Sequence, residues 1–271
     1  MLALDPTTYN DRDAVSTLRS LGTWWAELIG GDDDHEWALE PLRNQLAAIT
    51  QASSALGVSV VDASDPRITI DRTAKVIVSE LKILGWREDV ASELLRRSLQ
   101  AIHAGALARR AAGRMPASVK GTVHRLSTSD GGVPKLAADQ IAVSERGVVG
   151  DRQASRRVHG SPWQALCLWS LETIEAFQRD GHPIEPGSAG ENITVAGIAW
   201  ADVTAGVRLQ IGGVLAEVSM FAPPCTQNAQ WFSDGDFRRI GSSRGPGVSR
   251  VYASVVTSGQ VSVGDTVVLE P

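Results

Sequence analysis

The sequence predicts an α+β protein in two parts, an all-α helical domain over residues 1–115 and a β-barrel domain over residues 116–271. Three observations predict it. Glycine and proline are unevenly spread, 7 and 3 in the first part against 19 and 9 in the second. Apolar residues recur at helical spacing before the break and at period two after it. Between the parts, Arg109-Arg-Ala-Ala-Gly-Arg-Met-Pro116 puts Gly and Pro where a helix stops, and serves as a linker.

Four helices account for the first part. Asp11 to Ile29 sets Val15, Leu18, Leu21, Trp25 and Leu28 on one stripe behind an acidic start at Asp11 and Asp13. The turn Gly30-Gly-Asp-Asp-Asp34 follows, and its aspartates are suited to cap a helix from His35 to about Leu56. A third helix runs from Ile70 to about Leu84, with Val76, Ile77, Leu81 and Leu84 inward. A fourth runs from Glu88 to about Ala112 and carries Val90, Leu94, Leu95, Leu99 and Ile102. His35, Glu36 and His103 form no i,i+4 histidine pair and no Glu-x-x-His motif, so a metal centre is not expected there. Trp24, Trp25, Trp37 and Trp86 suit a core or an interface, which makes oligomerisation or partner docking the default role of this part.

In the second part, strands are expected at Val119–Leu126, Ile141–Ser144, Ala165–Trp169, Val207–Ile211, Val214–Val218, Val248–Val256 and Thr266–Leu269. Ile211-Gly-Gly-Val214 spells a tight two-residue hairpin, and Leu171 to Arg179 is a helix following a strand. Many short strands with glycine turns and few helices fit a barrel better than an alternating α/β sheet.

Composition bounds the function. With 43% hydrophobic and 21% charged residues over 271 positions, the chain is an ordinary globular one, long enough for two domains. A net charge of −5 argues against general affinity for nucleic acid or anionic membranes. The N-terminus has no basic stretch leading an apolar one, and no apolar run is long enough to span a membrane. Two cysteines, Cys167 and Cys225, suggest free thiols in a soluble cytoplasmic protein.

The chemistry concentrates in the second part. Cys225 stands in Phe221-Ala-Pro-Pro-Cys-Thr-Gln-Asn228, where two prolines stiffen the exit of an apolar strand and fix the thiol's direction. Cys167 lies in the apolar run Ala165-Leu-Cys-Leu-Trp169 and reads as core. Of the 13 Lys and Arg from position 116 onward, seven fall in two groups: Arg152, Arg156, Arg157 and Arg238, Arg239, Arg244, Arg250. Guanidinium clusters beside glycines suggest an anion site, against the alternative of solvated surface charge. The loop Gly147 to Gly160 adds Asp151 and His159, and Gly187-Ser-Ala-Gly-Glu-Asn-Ile193 adds Gly190, Glu191 and Asn192, with glycines that let backbone approach a ligand.

Taken in order, Gly150-Asp151-Arg152, His159-Gly160, Gly190-Glu191-Asn192-Ile193, Gly206-x-Arg208-Leu209 and Cys225 resemble the MOSC family, named for the C-terminal domain of molybdenum cofactor sulfurase. The likeness covers about residues 116–271 and is greatest to the stand-alone bacterial, YiiM/YuaD-like branch. The resemblance implies a mostly antiparallel β-barrel and a molybdenum cofactor (molybdopterin) whose metal is bound by the Cys225 thiolate. It makes Arg152, Arg156, Arg157 and Arg208 the expected grip on the cofactor phosphate, and Asp151, Gly190, Glu191 and Asn192 the expected wall around the pterin. His159 is the expected proton source, or part of the same wall, since imidazole titrates near neutral pH.

The implied activity is reduction of N-hydroxylated small molecules to amines. No flavin, haem or iron–sulfur ligand pattern is present, so the electrons are expected from a separate electron-donor protein. One alternative is sulfur transfer through a Cys225 persulfide fed by a sulfur-donor protein. Another is a non-catalytic cofactor-binding or delivery module docked through the helical part, which is also where a homo-oligomer would form.

Overall fold

The structure is a computed structural model that describes residues 11–30, 35–115, 118–154 and 160–270. The chain divides into two compact units, Met1–Arg114 and Met115–Pro271.

The first unit holds four helices: α1 (Asp11–Ile29), α2 (Leu39–Leu56), α3 (Pro66–Ile83) and α4 (Glu88–Ala111). Helix α1 packs on α3 and α4, and α2 packs on the same two, so the four close around one core. Leu18, Leu21, Trp24, Trp25 and Leu28 are sealed within it. Inside, the Trp25 indole donates to Gln45 Oε1 (3.2 Å) and the Gln45 amide donates to Ser98 Oγ (2.7 Å), linking three helices by satisfied polar groups.

Two helix starts differ from expectation, each for a local reason. Helix α2 begins at Leu39 after a short 3-10 turn, Glu36–Ala38, and not at His35. A start at His35 would set the Pro41 ring against the carbonyl four residues earlier, whereas in the first turn of α2 it is tolerated. The aspartates expected to cap this helix lie outside the described residues. Helix α3 begins a turn early because Asp65 accepts from Arg67 N (2.8 Å) as N-cap, with Pro66 in the first helical position. Its buried face is Ile70, Ala74, Ile77 and Leu81. Val76 lies half-buried beside that face, and Leu84, expected inside, is 55% exposed beyond the helix end.

The second unit contains β1 (Val119–Thr128), β2 (Leu136–Ala138), β3 (Gln140–Ser144), β4 (Gly147–Val148), β5 (Leu166–Ser170), α5 (Leu171–Arg179), β6 (Ile193–Ala196), β7 (Arg208–Ile211), β8 (Val214–Phe221), β9 (Val251–Thr257), β10 (Gly259–Ser262) and β11 (Thr266–Glu270). The order β11-β7-β8-β9-β5-β6-β1 closes through pairing of β1 with β11, which makes a seven-strand barrel. All its pairs are antiparallel except β5–β6, whose strands are joined by the crossover through α5. Strand β2 extends the sheet beside β1, and β10, β3 and β4 form a separate small sheet. Leu126, Leu168, Ile193, Leu209, Ile211, Val218, Val251 and Val267 are buried in one continuous core. Among the described residues, no helix is long and apolar enough to cross a membrane.

Candidate functional site

The Cys225 turn is built from three constraints. Strand β8 ends at Phe221, Ala222 N bonds to Arg250 O (2.8 Å), and Pro223-Pro224 then carry the chain to Cys225 in extended conformation (φ −118°, ψ 141°). Cys225 O accepts from Asn228 N (2.9 Å), which folds the following residues into a short 3-10 turn. The thiol is thereby left half-buried at the rim of a cavity of about 140 Å³, larger than a single water needs.

The facing wall is a connected set of hydrogen bonds. Asn192 donates its backbone N–H to Cys167 O (2.7 Å) and accepts from Cys167 N through Oδ1 (3.2 Å). Its amide donates to Ser127 O (3.3 Å) and to Asp151 Oδ2 (3.0 Å). Asp151 also accepts from Ser129 N (2.7 Å) and forms a buried ion pair with Lys135. Gly190 adopts φ +92°, and a Cβ there would lie 3.0 Å from Val133 Cγ1, so glycine keeps this wall close to its neighbour. Arg250 spans the two walls: Nη1 donates to Ala189 O and Nη2 to Pro223 O (3.2 Å).

Burial sets the charge states. It pushes the Cys167 thiol up to about 11, only partly opposed by the Arg250 charge, so Cys167 stays protonated. Burial also raises the Tyr252 phenol, and the neighbouring Cys167 adds to the rise. The Glu191 carboxyl is raised by burial as well, against the hydrogen bond it accepts from Gly187 N (2.5 Å).

Of the expected site residues, Cys225, Arg152, Gly190 and Asn192 line the cavity together. Arg152 does so from the exposed rim, paired with Asp130 (2.9 Å). Asp151 stands behind the wall, its oxygens spent on Ser129, Lys135 and Asn192. Glu191 is sealed below it, with 0% exposure. Arg208 is not brought to the cavity: on β7 it points away from the buried Leu209 and Ile211 and pairs with Glu217 on β8 (3.0 Å). Arg156, Arg157 and His159 lie outside the described residues. In the second arginine group, Arg239 pairs with Asp234, Arg244 pairs with Asp236, and Arg238 lies over the Phe237 ring at 5.6 Å; only Arg250 reaches the cavity. Cys167 is buried as expected yet also lines the cavity, as do Lys135, Gln164, Asn228 and Tyr252, which sequence reasoning missed. Arg250 alone carried a signal, its place in an arginine-rich stretch.

The second unit is a closed barrel with a thiol held on a proline turn at the rim of a cavity, and residues 155–268 within it match the MOSC domain family model. The chain is 29% identical over 135 residues to Protein YiiM of Escherichia coli (strain K12), covering 48% of this chain and 59% of that protein. It is 29% identical over 116 residues to the uncharacterized protein YflK of Bacillus subtilis (strain 168), covering 42% and 52%. The matches therefore span little more than half the length of these relatives. The solved structure of Escherichia coli YiiM is 23% identical, covering 56% of this chain and 70% of that one, with a TM-score of 0.44.

Proposed function

We propose that the barrel unit binds a molybdenum cofactor through the Cys225 thiolate and reduces N-hydroxylated compounds to amines. The observation that carries the reading is the cavity's set of unsatisfied groups. Arg250 Nε, Asn228 Nδ2 and Gln164 Oε1 are buried without a hydrogen-bond partner among the described residues, and all three residues line the cavity beside Cys225. Buried orphans of this kind are rare in folded proteins, so donors and an acceptor gathered at one cavity fit a polar ligand that completes them. A thiolate on a stiff turn suits a soft, redox-active metal.

In this reading Cys225 holds the metal, the Pro223-Pro224 turn fixes the angle of approach, and Arg250 and Asn228 hold an acceptor oxygen. Cys167 and Tyr252 stay protonated, which keeps competing negative charge out of the cavity. When bound, the cofactor supplies two-electron chemistry and a destination for the oxygen of the N–O bond. The overall change, R–NHOH plus two electrons and two protons to R–NH2 plus water, takes its electrons from a separate donor protein. The proton supply is assigned to His159 on its chemistry alone. Docking of the donor, or pairing of two copies, is assigned to the helical unit.

The test is the metal and pterin content of freshly purified protein, and of Cys225→Ser. Stoichiometric molybdenum in the parent, lost in a Cys225→Ser protein with an unchanged melting curve, is the expected result. Metal-free protein carrying cyanide-labile sulfur on Cys225 overturns it in favour of sulfur transfer.

A further inference from the structure

Among the described residues, no carboxylate forms an ion pair with the buried Arg250 guanidinium. Its side chain belongs to a residue only 5% exposed, and both of its hydrogen-bond acceptors among the described residues are neutral carbonyls, Ala189 O and Pro223 O. Two of the five guanidinium N–H groups are thus used, and Nε has no partner among the described residues. Of the acids nearby, Asp151 is committed to Lys135, and Glu191 forms no ion pair with Arg250; burial raises the Glu191 carboxyl, against the opposing pull of the Arg250 charge. An uncompensated charge in a protein interior is costly, and a site that keeps one generally meets an anion there. Asn228, 2% exposed, lines the same cavity and adds a second donor without a partner among the described residues.

We propose that Arg250 and Asn228 form a preformed anion subsite beside Cys225, which selects small molecules carrying an anionic oxygen group. The two backbone bonds of Arg250 hold the guanidinium between the Gly190 and Cys225 loops, so its charge is in place before any ligand arrives. The subsite rests on the same cavity as the proposed function but requires no metal. Its ligand is an organic carboxylate or a phosphate ester; planar and tetrahedral anions separate the two.

The experiment uses the full chain carrying Cys167→Ala, dialysed against chelator, so that Cys225 is the sole thiol. Its alkylation rate is measured with anionic iodoacetate and with neutral iodoacetamide; in each case an S–C bond forms, iodide leaves and the thiol proton passes to buffer. The iodoacetate-to-iodoacetamide ratio is expected to fall roughly tenfold on Arg250→Gln and to stay near the parent value on Arg250→Lys. Acetate and inorganic phosphate are expected to slow the parent reaction. Stronger protection by acetate identifies a carboxylate ligand, and stronger protection by phosphate a phosphate ester. A ratio unchanged by Arg250→Gln overturns the proposal; if that variant does not fold, absence of protection by both anions overturns it. Freshly purified protein that holds no molybdenum before any chelator treatment, with the selectivity intact, sinks the cofactor reading and leaves this subsite standing.

Discussion

Asp151 holds more of the site together than any ligand-facing residue. Its carboxylate orders Ser129, Lys135 and Asn192, and through Asn192 it steadies both backbone groups of Cys167. The ion pair with Lys135 is nearly dry, at 9% and 6% side-chain exposure, so removing one partner leaves a buried charge. Asp151→Ala is expected to lower stability by about 3–5 kcal/mol, read as a shift in the denaturant midpoint. Glu191 behaves oppositely. Its folded-state pKa lies above the unfolded value, so its contribution is complete below that ordinary carboxylate value and is lost as pH rises toward the raised one. Glu191→Gln removes that loss. The variant is expected to match or exceed the parent's stability at pH 7 and to show no advantage at pH 4, by denaturation at both values.

Among the elements, the loop from Gly187 to Asn192 carries the site's register. Gly187 adopts φ +86°, accepts from Lys135 N through its carbonyl (2.9 Å), and leaves 2.8 Å between a would-be Cβ and Lys135 O. Gly187→Ala is expected to cost about 1–3 kcal/mol and to weaken ligand retention with it, measured by melting and by cofactor content. How far such elements were legible follows from their pattern. Helices α1 and α4 were readable because Leu18, Leu21, Trp25 and Leu28, or Leu94, Leu95 and Ile102, repeat at one period against polar neighbours. Helix α3 was misphased by Val76 and Leu84, apolar residues whose backbone positions fall off the buried face. Strand β6 carries no strand signature in the sequence, because Ile193, Thr194 and Val195 are all buried, which erases the alternation that marks a strand. Cys225 was legible through its prolines. Arg208 was placed at the site by motif, yet the alternation of Arg208, Leu209, Gln210 and Ile211 already turned it outward. Lys135, Gln164 and Asn228 carried no local signal, since tertiary pairing alone gathers them.

At the scale of the molecule, each unit encloses its own core, one sealed by Trp24 and Trp25 and the other by the barrel interior. Two calorimetric transitions are expected on heating, and a bound cofactor is expected to raise only the one that belongs to the barrel. The barrel has a further property that follows from its closure. Val119 on its first strand lies directly across from Leu269 on its last, with Gly121 opposite Val267 two rungs on. The seam where this unit's polypeptide enters and leaves is therefore stitched by the same ladder as every other rung, and a ring has no obligatory first stave. Splicing those two ends together and opening the backbone at an exposed bend elsewhere would reorder the gene while leaving the thiol's perch as it stands.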